Sequence, residues 1–418
     1  MMVIHQIKSI LRRKSLRQGL SVLFDQGLMS LTNFLTGVLV ARANDRADYG
    51  CFVLGFTILR FSLGVTHSLV AVPFTIESPH RTVDRRSYLG STILHQLLLT
   101  VVLSVSFLSM AFVFSSRDQS LSELMAFLAI FAGPFFLWEF ARLVMISLQK
   151  YYFSVFLGSA ANIACLTCFY FLSRHELLSV RNAFVAMTVI WSVPMLVALV
   201  DLGRRAKPDF NGIGSVFLLH WKTGKWLVAR SFANFGVVAI WPILITALAG
   251  TSATAQYGAC MSLAGLLNPF FFGLTNYVRS KGAHVLAKDP GRFHAILLVT
   301  ETVTLLIVVP FLAGFIFFRK ELLYFCYGTK YLDVPALLVI CALGNALCMI
   351  SAQVEVLLDV SKKTFYTFLG RMTGLLVSLG CGIPLILLFG VYGAAWAFLS
   401  ARLVTLILWA GMTGKVAN

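Results

Sequence analysis

Twelve apolar runs of twenty residues or more follow one another down this chain, separated by short polar breaks. A helix needs about twenty apolar residues to cross roughly 30 Å of hydrocarbon. The runs cover 20–41, 50–76, 88–114, 121–148, 151–172, 180–201, 224–249, 257–279, 293–318, 333–359, 364–389 and 391–413. Inside hydrocarbon a backbone amide finds no water, so segments like these close their hydrogen bonds as helices. Composition excludes a soluble domain: 58% of residues are apolar and 12% charged, against about 45–50% and about 25% in soluble chains. The expected fold is therefore all-α and polytopic, with about twelve transmembrane helices.

The net charge of +17 belongs to topology rather than to a nucleic-acid partner, because the basic residues do not gather on one domain. With the N-terminus placed inside, 21 Lys and Arg fall in the inner loops and tails, 8 in the outer loops and 5 within the runs. By the positive-inside rule this puts both termini in the cytoplasm. No outer loop is long enough to fold into an external domain. The inner loop at 202–223 carries Arg204, Arg205, Lys207 and Lys222 around the apolar stretch 216–221. That pattern predicts a short helix lying on the membrane surface.

The basic N-terminus, with Lys8, Arg12, Arg13, Lys14 and Arg17, precedes an apolar run that ends in Ala41-Arg42-Ala43. The run is too long for a signal-peptide core and contains Asp25 and Asn33, so it reads as an uncleaved first membrane helix. Of the eight cysteines, only Cys326 falls in an expected outer loop. The pair Cys165 and Cys168 lies inside a membrane helix with no second pair, so these residues read as small packing groups.

Two halves are visible in the residues. Tyr49-Gly50 opens the second run and Tyr257-Gly258 the eighth; Lys150-Tyr-Tyr-Phe-x-x-Phe-Leu-Gly158 opens the fifth and Lys362-Lys-Thr-Phe-x-x-Phe-Leu-Gly370 the eleventh. Both matches fall at nearly one offset, and six runs per half leave the copies in the same orientation, a parallel repeat. The expected organisation is a six-helix bundle over 1–201, a basic cytoplasmic linker over 202–223 and a second six-helix bundle over 224–418, around a central cavity.

Charge inside the membrane selects the candidate site. A charged side chain near the bilayer centre costs at least about 2.5–3.5 kcal/mol on insertion scales, so it survives where it faces a cavity or a partner. On the second run Thr57, Arg60, Gly64, His67 and Ala71 recur at helical spacing as one polar, small-residue stripe. At the repeat offset, Arg60 and His67 correspond to Asn268 and Thr275 on the eighth run, so both copies are expected to line one cavity. Arg142, Arg230, Arg371 and Arg402 are the other candidate substrate-binding residues. Asp25, on a polar stripe of the first run, is a candidate ion-coupling carboxylate, together with Glu139, Glu301 and Glu355. Glu139 and Arg142, three apart on one helix, are placed to neutralise each other. Arg371 and Arg230, about two turns from the inner face, are placed to snorkel. His95 alone reads as packed or paired. No phosphate-binding loop and no metal-ligand spacing occurs in the chain, so neither an internal ATPase nor a metal or other cofactor is expected.

At this point the chain resembles the multidrug/oligosaccharidyl-lipid/polysaccharide exporter superfamily, and within it the polysaccharide-biosynthesis flippases. The resemblance rests on Asp25-Gln-Gly-Leu-Met-Ser-Leu-Thr-Asn33 through Ala41-Arg42, on Tyr49-Gly50-Cys-Phe-Val-Leu54, on the repeated starts of runs five and eleven, and on Val391-Tyr-Gly-Ala-Ala-Trp396. These motifs are short and common to the superfamily, while the likeness covers nearly the whole chain. It implies two six-helix bundles that alternate between inward and outward openings. It implies as cargo an isoprenoid-diphosphate-linked oligosaccharide, carried across a bacterial inner membrane by a protein that is not an enzyme. The implied partners are that lipid-linked oligosaccharide, membrane lipid, and the polysaccharide polymerase and export components. The five intramembrane arginines fit an anionic head group, since guanidinium pairs bidentately with phosphate.

Three other readings stay open on the residues. An ion-coupled exporter of small molecules in the same superfamily would favour carboxylates over arginines. A major-facilitator transporter shares the parallel six-helix halves, and Asp84-Arg85-Arg86 partly matches its loop motif, but without the flanking glycine. A membrane-embedded glycosyltransferase or polymerase would need a long external loop with catalytic acids.

Overall fold

The computed structural model describes the backbone of residues 13–78, 85–207, 210, 212–271, 273–275, 278, 290–361 and 363–413, and side chains within those stretches from Gly27 onward apart from 290–295, 364 and 413. Helices dominate in chain order: α1 (Arg13–Ala43), α2 (Arg46–Thr66), a π-helical turn (His67–Ala71), α3 (Val72–Glu77), α4 (Arg85–Phe114), α5 (Gln119–Ser147), α6 (Tyr151–Arg174), α7 (Val180–Gly203), α8 (Ile213–Val238), α9 (Trp241–Ala249), α10 (Thr251–Ala264), α11 (Pro290–Phe317), α12 (Arg319–Tyr327), a 3-10 turn (Gly328–Tyr331), α13 (Pro335–Val360) and α14 (Thr364–Thr413). Among the described residues, eight helices are long and apolar enough to cross a membrane, and ten if each of two bent pairs is one span. One of the eight, α14, is itself two spans joined at Gly390, whose φ of +57° ends one helix and starts the next. With α1, each of the twelve expected runs contains helix among the described residues. The protein is a multi-pass, all-α membrane protein.

Which faces meet lipid is written in the side chains. On α4, Leu98, Val101, Val105, Leu108 and Phe112 are all more than half exposed, a surface that no soluble protein would show to water. Where helices meet one another, small residues let them approach. A Cβ on Gly344 would lie 2.5 Å from the Phe398 ring, and one on Gly370 would lie 2.1 Å from the Trp409 indole.

The chain forms two compact units, one made of the chain up to Thr36 with Ser62–Ala229, the other of Gly37–Phe61 with Arg230–Asn418. Each boundary in the first two helices falls inside a helix, so α1 and α2 both begin or end in the other unit. In the first unit, Phe74 stacks on Tyr88 at 5.4 Å, within a core of Trp138, Phe140, Val144 and Met145. In the second, Phe271, Val308, Ala346 and Met349 form one core cluster.

The two glycines that mark the repeat pack on each other's helices within the second unit. A Cβ on Gly50 would lie 1.8 Å from the Thr251 carbonyl oxygen, and one on Gly258 would lie 2.6 Å from Val53. Backbone thus meets backbone where α2 crosses α10.

Four local features depart from the sequence expectation. Residues 213–223 do not form a separate surface helix; they are the first turns of α8, which runs on unbroken to Val238, because no proline interrupts it. The seventh span bends by 53° between α8 and α9, where Pro242 near the start of α9 removes a backbone donor. The eighth turns at 265–267, so the stripe of Gly265, Asn268 and Thr275 does not sit on one straight helix. Cys326 is a buried residue of α12 rather than part of an open loop.

Candidate functional site

Two pairs of intramembrane charges are held together, one in each unit. In the first unit, Arg142 donates from Nη2 to Glu139 Oε2 at 2.9 Å, one turn apart on α5. Both side chains are less than a fifth exposed. His67 opens the π-helical turn, in which the Val72 amide donates to the His67 carbonyl five residues back. Such wide turns gather at functional sites because they redirect one side chain without ending the helix. The turn brings His67 within electrostatic range of Glu139 and Arg142, and its Nε2 makes no hydrogen bond. Gly224 of α8 faces the same turn; a Cβ there would lie 2.8 Å from the Ser68 carbonyl oxygen.

In the second unit Arg371 on α14 reaches two partners. Its Nη2 donates to Glu355 Oε1 of α13, and its Nη1 donates to Asn234 Oδ1 of α8 at 2.5 Å. Arg371 therefore does not snorkel; it ties three spans together. Among the described residues, each unit thus holds one such pair inside its spans: Glu139 with Arg142 on the fourth span, and Glu355 of the tenth with Arg371 of the eleventh. A guanidinium held this way keeps its planar fork ordered, and a phosphate offers the same bidentate geometry as the carboxylate it would replace.

The other candidates are dispersed. Arg60, in the second unit, and Arg230 are exposed. Asn268 and Glu301 are half-buried, while Thr275 is buried and donates to the Phe271 carbonyl at 2.9 Å. Arg402 is buried with its guanidinium 5.4 Å from the centre of the Phe398 ring, and its Nε and Nη2 make no hydrogen bond. The side chain of Asp25 lies outside the described residues. His95 is buried in the first unit beside His220, the ring centres 5.9 Å apart.

A cluster not anticipated from the sequence closes one end of the second unit. Arg42 donates to the carbonyls of Cys326 at 2.7 Å and of Phe325, the free end of α12, where the helix dipole favours a cation. Lys330 returns the arrangement, donating to the carbonyls of Arg42 at 2.8 Å and Asn44 at 2.7 Å at the end of α1. Arg46 donates to Lys330 O and pairs with Asp333, above the Tyr331 ring at 5.5 Å. Burial holds the Tyr331 phenol well above its ordinary range, with Arg46 pulling the other way. The signal lay in the charges: on the side where basic residues are depleted, Arg42, Arg46 and Lys330 needed partners.

No protein-family profile matches the chain, and no curated protein matches it in sequence. Solved structures do match in fold. A multidrug resistance MATE family transporter of the MOP superfamily, in an inward-facing conformation, superposes with a TM-score of 0.75 at 12% identity, covering 94% of this chain and 95% of that one. Lipid II flippase MurJ in an inward closed conformation gives 0.71 at 14% identity, covering 96% and 88%. An outward-facing MATE transporter of the same superfamily gives 0.65 at 12% identity, covering 96% and 95%. The chain thus shares its fold, over nearly its whole length, with transporters and a flippase.

Proposed function

We propose that this protein carries an anionic, lipid-linked oligosaccharide across a bacterial inner membrane by alternating access. The observation that supports the reading most directly is the pair of guanidinium groups, Arg142 and Arg371, each held against one carboxylate inside an apolar span. A diphosphate needs cationic donors in planar, bidentate order, while its isoprenoid tail stays in the bilayer. In this reading the cargo phosphate displaces Glu139 and Glu355 from their arginines. Arg60, Arg230 and Arg402 add charge, and His67, Asn268 and Thr275 add neutral hydrogen-bonding groups. The carboxylates, with Asp25 and Glu301, couple the exchange to an ion, because protonating or neutralising a carboxylate releases its arginine.

The test is translocation of a fluorescent isoprenoid-diphosphate oligosaccharide in proteoliposomes holding the purified full chain. Arg142→Gln and Arg371→Gln should each slow translocation by at least about tenfold, the loss of one charge-assisted pair, with the protein still folded. Unchanged translocation in both variants would sink the assignment.

A second reading, an ion-coupled exporter of small molecules, draws on the four carboxylates and on the fold shared with multidrug transporters. It requires cation-dependent dye efflux that Glu139→Gln and Glu355→Gln abolish and that the two arginine substitutions spare.

A further inference from the structure

One groove in the first unit lies apart from the charge pairs. It encloses about 160 Å³ between the end of the second span, α4 and the first turns of α8. Leu98, Val102, Phe217 and Trp221 form its walls, and all four are about half exposed or more. The groove therefore opens sideways, onto the face where α4 presents its apolar residues to lipid. Phe217 and Trp221 stack in parallel with ring centres 6.4 Å apart, making one flat aromatic wall.

At the back of this apolar groove sits His95, only 8% exposed. The Ile213 backbone lies within reach of the ring, but neither ring nitrogen closes a hydrogen bond of good geometry. A buried polar group left like this in an apolar setting costs free energy, and it asks for a partner carried in by something else. The neighbouring His220 is already engaged, its Nε2 2.9 Å from the Tyr88 hydroxyl.

Basic residues gather toward the α4 start of this unit. Lys222 follows Trp221 on α8, and Arg85 and Arg86 start α4. The Lys207 amide donates to the Arg86 carbonyl at 2.9 Å, which fixes the segment bearing Arg204 and Arg205 at the same end of the unit. From Arg85 to His95, α4 rises about 15 Å, a distance that an arginine side chain, a phosphate and a glycerol ester cover together.

Apolar walls open to lipid, a poorly satisfied buried histidine behind them and basic residues toward one end of the unit match the three chemical zones of one molecule. We propose that this groove binds a single anionic glycerophospholipid from the surrounding leaflet. An acyl chain lies along Leu98 and Val102, an ester carbonyl accepts from His95, and the phosphate faces Lys222 and the arginines at that end of the unit. The site tethers α4 to α8, the helix that leads into the second half of the chain, and it stands independently of the cargo proposed above.

Native mass spectrometry of the purified full chain tests it, with added phosphatidylglycerol and phosphatidylcholine of identical palmitoyl-oleoyl chains. One phosphatidylglycerol should be retained at about five- to thirtyfold lower concentration than phosphatidylcholine, the preference that one or two basic residues confer near a membrane surface. Val102→Trp, which fills the groove, and His95→Leu should each reduce that retention several-fold. Their melting temperatures in lipid-free detergent show whether they fold. Lys222→Gln, on an exposed surface position, should weaken the preference between the two lipids about fivefold, even if the buried variants misfold. Equal retention of both lipids by the wild type, or retention unchanged in Lys222→Gln and in a folded groove variant, overturns the proposal. Because no cargo movement is measured, either result leaves the transport reading untouched.

Discussion

Arg46 grips Asp333 with both terminal nitrogens of its guanidinium, Nη1 to Oδ2 at 2.9 Å and Nη2 to Oδ1 at 2.6 Å, across 287 positions of sequence. The pair is partly exposed, with side chains 31% and 49% accessible, so its own worth is about 1 kcal/mol or less. Its neighbours add to it: Gln256 also donates to Asp333 at 3.1 Å. Asp333→Ala should therefore lower the melting temperature only slightly. The charge-reversed double variant, Arg46→Asp with Asp333→Arg, should recover only part of that loss, because Arg46 also donates to Lys330 O. A thermal-shift cycle on the wild type, Arg46→Asp, Asp333→Arg and their double variant checks the coupling, and full additivity would mean that the pair is not coupled.

The pair of Arg371 and Glu355 should behave differently, since each side chain is a fifth exposed or less. Glu355→Gln leaves a guanidinium in the membrane without its counter-charge, a change that typically costs about 3–5 kcal/mol for a buried pair. The double variant Glu355→Gln with Arg371→Gln should regain most of the stability and none of the transport. Measured by detergent melting and by translocation, equal stability of the single and double variants would contradict this.

The repeat glycines give a sharper contrast. Gly258→Ala places a Cβ against the Val53 side chain, so the overpacking loss of about 1–3 kcal/mol should be rescued by Val53→Ala. Gly50→Ala meets the Thr251 backbone instead, and trimming a side chain cannot make room there. Membrane yield and melting temperature of the four proteins separate the two cases; rescue of Gly50→Ala by Val53→Ala would show that the helices shift freely.

Arg402 is buried with two unsatisfied nitrogens. Replacing a poorly satisfied buried charge with an apolar chain of similar length is often neutral or stabilising. Arg402→Met should therefore keep or raise the melting temperature, and in the proposed role it should also slow translocation. A clear drop in melting temperature would reveal a structural ion pair instead.

The charge bias of the loops predicts an orientation that can be measured. Reporter fusions after Lys207 should report a cytoplasmic position, and fusions after Asp333 an external one. The opposite result at Lys207 would invert every span.

Much of the fold was legible because hydropathy and charge act over whole spans. The break between 389 and 391 coincides with the left-handed Gly390, and the two glycines noticed as a repeat turn out to be a contact. The bends at 239–240 and 265–267 were not legible, since a helix can turn inside hydrocarbon without changing its average hydropathy. Nor was the π-helical turn at His67, which alters register by one residue and leaves composition untouched. Of the site, Glu139 and Arg142 were readable because helical spacing alone puts them together. Arg371 with Glu355 and Asn234 was not, because that contact depends on how three helices pack. Arg42, Arg46 and Lys330 were counted for topology, and their mutual bonds require a fold to bring positions near 42 and 330 together.

The left-handed turn at Gly390 also bears on how the protein is made. Thr364–Thr413 is a stretch of 50 helical residues in which a single glycine stands between two spans. The ribosome therefore delivers both spans with no polar stretch between them to mark where one ends. The two spans are therefore expected to enter the bilayer together as a hairpin, and a residue with a side chain at position 390, which disfavours that turn, should be felt first during biogenesis, as chains degraded before they finish assembling.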